Sequence, residues 1–171
     1  MKCDVSSIPV EDRRYDAVIC TQVLEHVPDP LKALKELYRV LAPGGTLWLS
    51  TNFYFEEHEQ PYDYFRYTQF GLQYLLEQAD FQECRIEWLG GYYGTLSHQL
   101  NLARHFLSVK PRDYGGGVLG MASALFALLL KPVFLILAVA FMFLDFRYQY
   151  REKGHCIDYS VIAKRPSSDK P

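Results

Sequence analysis

The sequence lacks the features that mark several specialised classes of protein. Its 18 Lys and Arg residues do not exceed its 20 Asp and Glu residues, and the formal net charge is -2. A protein that binds the phosphates of nucleic acid usually has more basic than acidic residues, so we expect no nucleic-acid partner. With 11 Gly and 9 Pro among 171 residues, the chain is also neither collagen-like nor a low-complexity sequence.

The sequence also lacks a disulfide pattern and a secretion signal. Its four cysteines form no C-x-x-C pair and stand far apart, at Cys3, Cys20, Cys84 and Cys156. Reduced thiols in a protein that faces the cytosol are therefore favoured. The N-terminal stretch MKCDVSSIPVEDRR contains no apolar run, so we expect no signal peptide.

Alternating patterns in the first half of the chain predict strands and helices in turn. Residues 15–20 (YDAVIC) suit a buried strand, and residues 46–51 (TLWLST) suit a second one. Between them, Asp29 and Pro30 form a helix start, and the run from Ala42 to Gly45 predicts its end. This order is a βαβ unit, so we expect an α/β fold with a parallel sheet. Thr68 begins a further predicted helix, and further strands are predicted at residues 81–89 and 159–164.

Several motifs in this frame match a known family. These motifs are YDAVIC, VLEHVPDP, RVLAPGGTLWLS, PYDYFRYTQFGLQYLLEQADF and SVIAKRP. Together they resemble the second half of a class I S-adenosylmethionine-dependent methyltransferase domain of the type 11-like group. The resemblance implies an incomplete Rossmann-like sheet, parallel with an antiparallel last strand.

The resemblance also implies a domain organisation and a cofactor. We expect a methyltransferase-like core at 1–90, an insertion at 91–153, the last strand of the core at 154–165 and a flexible tail at 166–171. The cofactor implied is S-adenosylmethionine. The family's Gly-rich loop has no counterpart before Asp4, so the sequence looks like a truncated domain, and we expect the 171 residues alone to bind this cofactor weakly.

The cofactor-binding residues implied lie at the carboxyl ends of strands, where open α/β sheets bind their ligands. Asp4 and Val5 correspond to the family's adenine-binding positions; the alternative for Asp4 is a solvated loop carboxylate. Cys20, Thr21 and Gln22 follow the first strand and correspond to positions beside the methionine part of the cofactor; the alternative is packing at the strand end.

Candidate residues for the methyl acceptor follow in the next segments. His26 is a candidate general base, because the ordinary pKa of His is near neutrality; the alternative is a structural role. Tyr62, Arg66 and Tyr67 are candidate substrate-binding residues, with Arg66 suited to a phosphate or carboxylate. Alternatively, the tyrosines pack over the sheet and Arg66 pairs with Asp63. We expect no metal site, because an acidic run with one His, as at residues 56–59, is typical of a solvated loop.

The apolar block at 118–144 predicts an association with a membrane. Lys131 and Pro132 divide it into two arms of about 13 residues, each about 20 Å long as a helix and too short to cross a hydrocarbon core of about 30 Å. We therefore expect a helical hairpin, re-entrant or interfacial, at the cytoplasmic face of a membrane. Basic residues on both sides agree with this, namely Lys110, Arg112, Arg147, Arg151 and Lys153. The alternative is a buried hairpin in a homodimer interface.

The resulting functional hypothesis is methyl transfer from S-adenosylmethionine to an amphiphilic or lipid-linked small molecule, such as an isoprenoid quinone precursor, a polyprenyl-linked sugar or a fatty lipid. The alternative is a non-catalytic methyltransferase-like remnant that acts as a membrane-bound interaction module. A third hypothesis, an integral membrane protein with a chance resemblance, is disfavoured by the combination of VLEHVPDP with RVLAPGG.

Overall fold

The computed structural model describes residues 3–151 and 155–167. The chain divides into two compact units. The first comprises Met1–Leu89 and Cys156–Pro171, and the second comprises Gly90–His155.

The first unit is built on a four-stranded sheet. Its strands are β1 (Tyr15–Thr21), β2 (Leu41–Asn52), β3 (Gln82–Leu89) and β4 (Asp158–Lys164), in the order β1-β2-β4-β3. Strands β1 and β2 are parallel, whereas β4 pairs antiparallel with both β2 and β3. The predicted fold class, a parallel sheet with an antiparallel last strand, is confirmed for this unit.

Two helices pack against this sheet. Helix α1 (Pro30–Val40) begins where the sequence predicts, because the Asp29 carboxylate accepts the Lys32 backbone N–H at 3.0 Å. Helix α2 (Gln69–Gln78) begins after Thr68, whose hydroxyl accepts the Gly71 N–H at 3.1 Å. Their buried faces, together with β2 and β4, form the core, which includes Leu34, Leu37, Leu47, Leu72, Leu76, Tyr159 and Val161.

Strand β2 begins earlier than the sequence predicts. The segment from Ala42 to Gly45 belongs to the strand, but its pairing with β1 shifts there, from Tyr15 opposite Leu41 to Ala17 opposite Thr46. Gly44 has a φ of 80°, in the left-handed region that favours glycine. Its N–H donates to the carbonyls of Arg165 and Pro166. These contacts come from residues far along the chain, which local sequence patterns do not report.

Strand β1 is less buried than its sequence suggests. In the described part of the chain it pairs with β2 alone, and Ile19 is 66% exposed. Its register partner Trp48 is 51% exposed, and Ile162, opposite Trp48, is 41% exposed. Cross-strand partners share a face of the sheet, so these three side chains form an uncovered apolar row.

The second unit is a pair of helices joined through a short 3-10 turn at Pro111–Tyr114. Helix α3 spans Tyr92–Phe106 and helix α4 spans Gly117–Tyr148, a length of 32 residues. The Gly91 N–H donates to the Asp145 carboxylate, and the Ser97 hydroxyl donates to the Ala138 carbonyl at 2.7 Å. The residue numbers rise along α3 and fall along α4 from one contact to the next, so the two helices are antiparallel.

The predicted hairpin within residues 118–144 is wrong. Lys131 and Pro132 lie inside α4, which continues through them as one helix. The Lys131 ammonium donates to the Arg104 carbonyl at 3.0 Å, near the C-terminal end of α3, where a positive charge is favourable. The element that returns alongside α4 is α3, so Lys131 does not lie at the tip of a hairpin.

Helix α4 is the one helix in the described residues that is long and apolar enough to cross a membrane. Only 11% of its most apolar 18-residue window is buried. Its exposed side chains are large and apolar over the whole length, and they include Leu119, Leu125, Phe126, Leu129, Ile136, Met142, Phe143 and Phe146. Such a surface is far from typical of a helix that faces water.

Candidate functional site

The candidate site lies where β1 and β2 end. Because the two strands are parallel, their carboxyl ends lie side by side, with Thr21 opposite Ser50. Just beyond β1, Gln22 has a φ of 52°, and its N–H donates to the Ser50 carbonyl at 2.9 Å. This turns the chain into a short 3-10 turn at Leu24–His26.

The loop that follows β2, residues 53–67, folds back onto this turn. The N–H groups of Tyr64 and Phe65 both donate to the Glu25 carbonyl, at 2.9 and 3.2 Å. The Tyr67 hydroxyl donates to the Leu24 carbonyl at 3.0 Å. Burial raises the pKa of Tyr67 well above its ordinary value, and the Glu25 carboxylate acts in the same direction. The phenol therefore remains a neutral hydrogen-bond donor that fixes the loop.

Two histidines meet between the turn and the loop. Nε2 of His26 lies 3.0 Å from Nε2 of His58, and the two rings meet edge to face. Nδ1 of His26 lies 2.9 Å from the Tyr62 carbonyl oxygen. The buried Glu25 carboxylate lies beside them and accepts the Thr51 hydroxyl at 2.8 Å.

The predicted cofactor residues differ in how exposed they are. Asp4, Thr21 and Gln22 are exposed, and Val5 is half-buried against the core. Cys20 is buried. Burial raises the pKa of its thiol to about 11, with a further contribution from the Glu25 carboxylate, so Cys20 stays protonated near neutral pH.

Asp4 stands in a tight turn. Its Oδ1 accepts the Ser6 N–H at 2.8 Å, and its carbonyl accepts the Ser7 N–H at 3.0 Å. This Asx turn fixes the orientation of the carboxylate and leaves it exposed to solvent.

For Arg66, the structure supports the alternative to substrate binding. Its guanidinium forms two parallel bonds with the Asp63 carboxylate, at 2.6 and 2.7 Å. The remaining donors bind the carbonyls of Phe55, Phe65 and Glu56. With these donors engaged inside the loop, Arg66 orders the loop. The Tyr67 side chain is likewise buried. Among the three predicted substrate-binding residues, Tyr62 is the exposed one, at 62%.

Sequence patterns do not connect His58 and Thr51 with this site, and they indicate Asp63 only as an alternative partner of Arg66. Glu57 and Glu59 are exposed, as a solvated loop predicts, whereas Glu56 and His58 are half-buried. His58 is half-buried, and its backbone N–H donates to the Asp63 carboxylate at 2.9 Å. Nothing in the local sequence connects His58 with His26, which lies 32 residues earlier.

Comparisons with known proteins connect part of this chain with methyltransferases. A family described as "Methyltransferase domain" matches residues 1–49, which include β1, the 3-10 turn, α1 and most of β2. The recognition of a class I methyltransferase from its motifs is thereby confirmed.

Curated relatives match the same short stretch. The ubiquinone biosynthesis O-methyltransferase of Xanthomonas campestris pv. campestris is 57% identical over 37 residues, which are 22% of this chain and 16% of that relative. The chain therefore spans about a sixth of the length of that curated relative.

Solved structures share the fold over nearly the whole chain. A protein proposed to be a methyltransferase, solved in complex with the Haloferax volcanii Trm112 methyltransferase activator, has a TM-score of 0.56 and 18% identity, covering 99% of this chain and 61% of that chain. Haemonchus contortus phosphoethanolamine N-methyltransferase 2, solved with phosphomonomethylethanolamine and S-adenosylhomocysteine, has a TM-score of 0.51 and 14% identity, covering 97% of this chain and 37% of that chain. At these identities the likeness shows the fold.

Proposed function

We propose that the protein carrying this chain transfers a methyl group from S-adenosylmethionine to an amphiphilic or lipid-linked acceptor. The observation that carries the proposal is the methyltransferase-domain match at residues 1–49, which spans the strand end where Cys20, Thr21 and Gln22 lie. The named ubiquinone biosynthesis O-methyltransferases support an oxygen acceptor, and Haemonchus phosphoethanolamine N-methyltransferase 2 was solved with S-adenosylhomocysteine.

The described residues fit part of this cofactor. Asp4 presents a fixed, exposed carboxylate, which suits the exocyclic amine of adenine. Thr21 and Gln22 present exposed polar side chains and a left-handed turn at the end of β1, which suit the methionine part. When bound, the cofactor supplies an electrophilic methyl group.

The protein's part in such a reaction is mainly positioning. Alignment of two reacting groups supplies much of the rate enhancement in a transfer of this kind. The loop at residues 53–67 is rigidly tied to the 3-10 turn through Tyr64, Phe65 and Tyr67, so it forms a fixed wall beside the strand ends. We place the acceptor against this wall, beside the exposed ring of Tyr62. A general base needs a free ring nitrogen, and both nitrogens of His26 lie against other groups of the chain, the Tyr62 carbonyl and the His58 ring, so we propose no proton transfer through it.

The apolar surface of α4 supports a membrane-associated acceptor. Both ends of the second unit lie together, because the Tyr92 N–H donates to the Tyr150 carbonyl at 3.0 Å. Helix α3 has 15 residues, about 22 Å, and carries polar side chains at His98, Gln99, Asn101 and Arg104. A full crossing of the helix pair would place these groups in hydrocarbon, so we propose that α4 lies in the membrane interface, at the cytoplasmic face.

The test is methyl transfer in membranes. Membranes that contain the protein expressed from its natural gene are incubated with S-adenosylmethionine labelled in its methyl group, and the lipids are extracted with organic solvent. We expect label in the lipid fraction, and much less label with membranes that lack the protein. Label confined to the aqueous fraction would refute the acceptor class. No transfer to either fraction by folded protein would favour the non-catalytic interaction module.

A further inference from the structure

The hydrogen-bond partners of His26 indicate which of its ring nitrogens carries a hydrogen. Nδ1 lies 2.9 Å from the Tyr62 carbonyl oxygen, which accepts hydrogen bonds and cannot donate one. Nδ1 therefore carries the hydrogen. In a neutral imidazole the other nitrogen, Nε2, then presents a lone pair.

The same reasoning applies to His58. Its Nδ1 lies 3.1 Å from the Glu56 carbonyl oxygen and 3.4 Å from Oδ2 of Asp63. Both groups accept hydrogen bonds, so Nδ1 of His58 also carries a hydrogen. In the neutral ring, Nε2 of His58 then carries a lone pair and no hydrogen.

The two nitrogens that carry lone pairs face each other. Nε2 of His26 and Nε2 of His58 are 3.0 Å apart. Two lone pairs at this distance repel, because neither nitrogen of the neutral pair has a hydrogen to donate. The arrangement is stable when a cation sits against both nitrogens, and that cation is either a proton or a metal ion.

Glu25 distinguishes between these two cations. Its side chain is fully buried; Oε2 accepts the Thr51 hydroxyl at 2.8 Å, while Oε1 has no hydrogen-bond partner in the part of the chain that the structure describes. The hydrogen-bonding nitrogens of Arg66, a nearby cation, are engaged by Asp63 and by backbone carbonyls. A buried carboxylate oxygen without a partner is costly. A proton held between two imidazoles does not satisfy that oxygen.

We propose that Glu25, His26 and His58 bind a divalent transition-metal ion, with Zn²⁺ the best fit to the donor set. One ligand atom from each residue lies within 4.8 Å of the others. Two Zn–N bonds of about 2.0–2.1 Å at a tetrahedral angle place their nitrogens roughly 3.3 Å apart, close to the distance between the histidines. Imidazole nitrogens favour Zn²⁺ over Mg²⁺ or Ca²⁺, which prefer oxygen ligands.

The surroundings of the three ligands have the organisation of a metal site. A histidine that binds a metal usually donates its other N–H to a carbonyl or carboxylate, which fixes the ring. His26 and His58 both do so, and Thr51 orients the Glu25 carboxylate. Three protein ligands leave the fourth tetrahedral position open, as in catalytic zinc sites.

This inference does not rest on the proposed function, because metal binding is measured without methyl transfer. The chain, treated with chelator and dialysed, is titrated with Zn²⁺ in a calorimeter and with Co²⁺ in a spectrophotometer. We expect saturable binding of one ion per chain, with visible Co²⁺ absorption typical of tetrahedral nitrogen and oxygen ligands. His58→Ala and Glu25→Gln should each bind Zn²⁺ at least about tenfold more weakly.

The control is His105→Ala, which removes an exposed histidine of α3. This variant should bind Zn²⁺ as tightly as the parent chain. Equal Zn²⁺ affinity in His58→Ala and the parent would overturn the proposal, as would the lack of saturable binding, which is the result that a shared proton predicts.

A measurement on the unaltered chain covers the case in which the variants do not fold. Nitrogen-15 spectra of the histidine rings report the proton on each nitrogen. On addition of Zn²⁺, the Nε2 signals of two histidines should shift while their Nδ1 atoms stay protonated. Spectra that do not change on addition of Zn²⁺ would also refute the site.

Discussion

The Asp63 carboxylate accepts two parallel hydrogen bonds from the Arg66 guanidinium, at 2.6 and 2.7 Å. The Asp63 side chain is almost fully buried, and it also accepts the His58 N–H. This pair fixes the loop at residues 53–67, so its removal should affect stability. We expect Asp63→Asn to lower the free energy of unfolding by about 3 kcal/mol, because it leaves a mostly buried guanidinium without its counter-charge. Urea denaturation at pH 7 measures the loss, and Glu87→Gln, an exposed change on β3, should cost far less.

The same pair predicts a dependence on pH. The Arg66 guanidinium holds the pKa of Asp63 well below its ordinary value, and the His58 backbone N–H adds to this effect. A carboxyl whose pKa is lower in the folded state stabilises the fold above its unfolded pKa of about 4, and the contribution is lost as the pH falls below that value. The difference in stability between the parent and Asp63→Asn should therefore narrow between about pH 4 and pH 2. A difference that is constant over this range would contradict the assignment.

Arg165 should be a second determinant of stability. It is 6% exposed, and its guanidinium donates to the carbonyls of Tyr38 and Leu41, at 3.1 and 2.9 Å, where α1 ends. It also lies over the Tyr38 ring, 4.6 Å from its centre. We expect Arg165→Met to cost about 2–4 kcal/mol, because hydrogen bonds to a charged group are strong and the carbonyls lose their donor.

Arg165→Lys is the matched control for that change. It keeps a positive charge at the C-terminal end of α1 and should lose less than the Met variant. Equal losses in urea denaturation of the two variants would show that the charge at the helix end contributes nothing.

Asp4 provides a test of the cofactor site. If its carboxylate accepts the adenine amine, Asp4→Ala should weaken the binding of S-adenosylmethionine by about 1–3 kcal/mol, the scale of a hydrogen bond to a charged group. Calorimetry on the protein expressed from its natural gene gives the affinity. Glu11→Ala removes another exposed carboxylate near the N-terminus and should leave the affinity unchanged. An unchanged affinity in Asp4→Ala would remove Asp4 from the site.

The position of α4 predicts a labelling pattern in sealed vesicles. Exposed Cys3 and the half-buried Cys84 are first replaced by Ser; Cys20 and Cys156 are buried and shielded from reagent. Single cysteines are then placed at Arg112 and Arg151, on either side of α4. An interfacial helix predicts that both positions react with a membrane-impermeant maleimide from the cytoplasmic face. Reaction from opposite faces would mean that α4 spans the membrane.

Local sequence signals predicted the parts of the fold that depend on local contacts. Asp29 and Thr68 predict the starts of α1 and α2, because each side chain accepts the backbone N–H three residues later. The early start of β2 was not predictable in this way, because Gly44 receives its partners from Arg165 and Pro166. The predicted hairpin is wrong because a proline usually breaks a helix, whereas α4 continues through Pro132.

The candidate site was predicted only in part, for a similar reason. The strand ends and His26 follow from the order of strands and the motif VLEHVPDP. His58 and Asp63 join the site because backbone bonds from Tyr64 and Phe65 to Glu25 fold the loop back over the 3-10 turn. That fold-back has no periodic pattern in the sequence, so the cluster of Glu25, His26 and His58 emerges only in three dimensions.

The central claim, that this chain contributes to a site for S-adenosylmethionine, is tested most directly by equilibrium binding. The protein expressed from its natural gene is titrated with S-adenosylmethionine in a calorimeter, with its folding verified by circular dichroism. The account predicts saturable binding of one molecule per chain, which S-adenosylhomocysteine displaces. A folded protein that binds neither compound would contradict it.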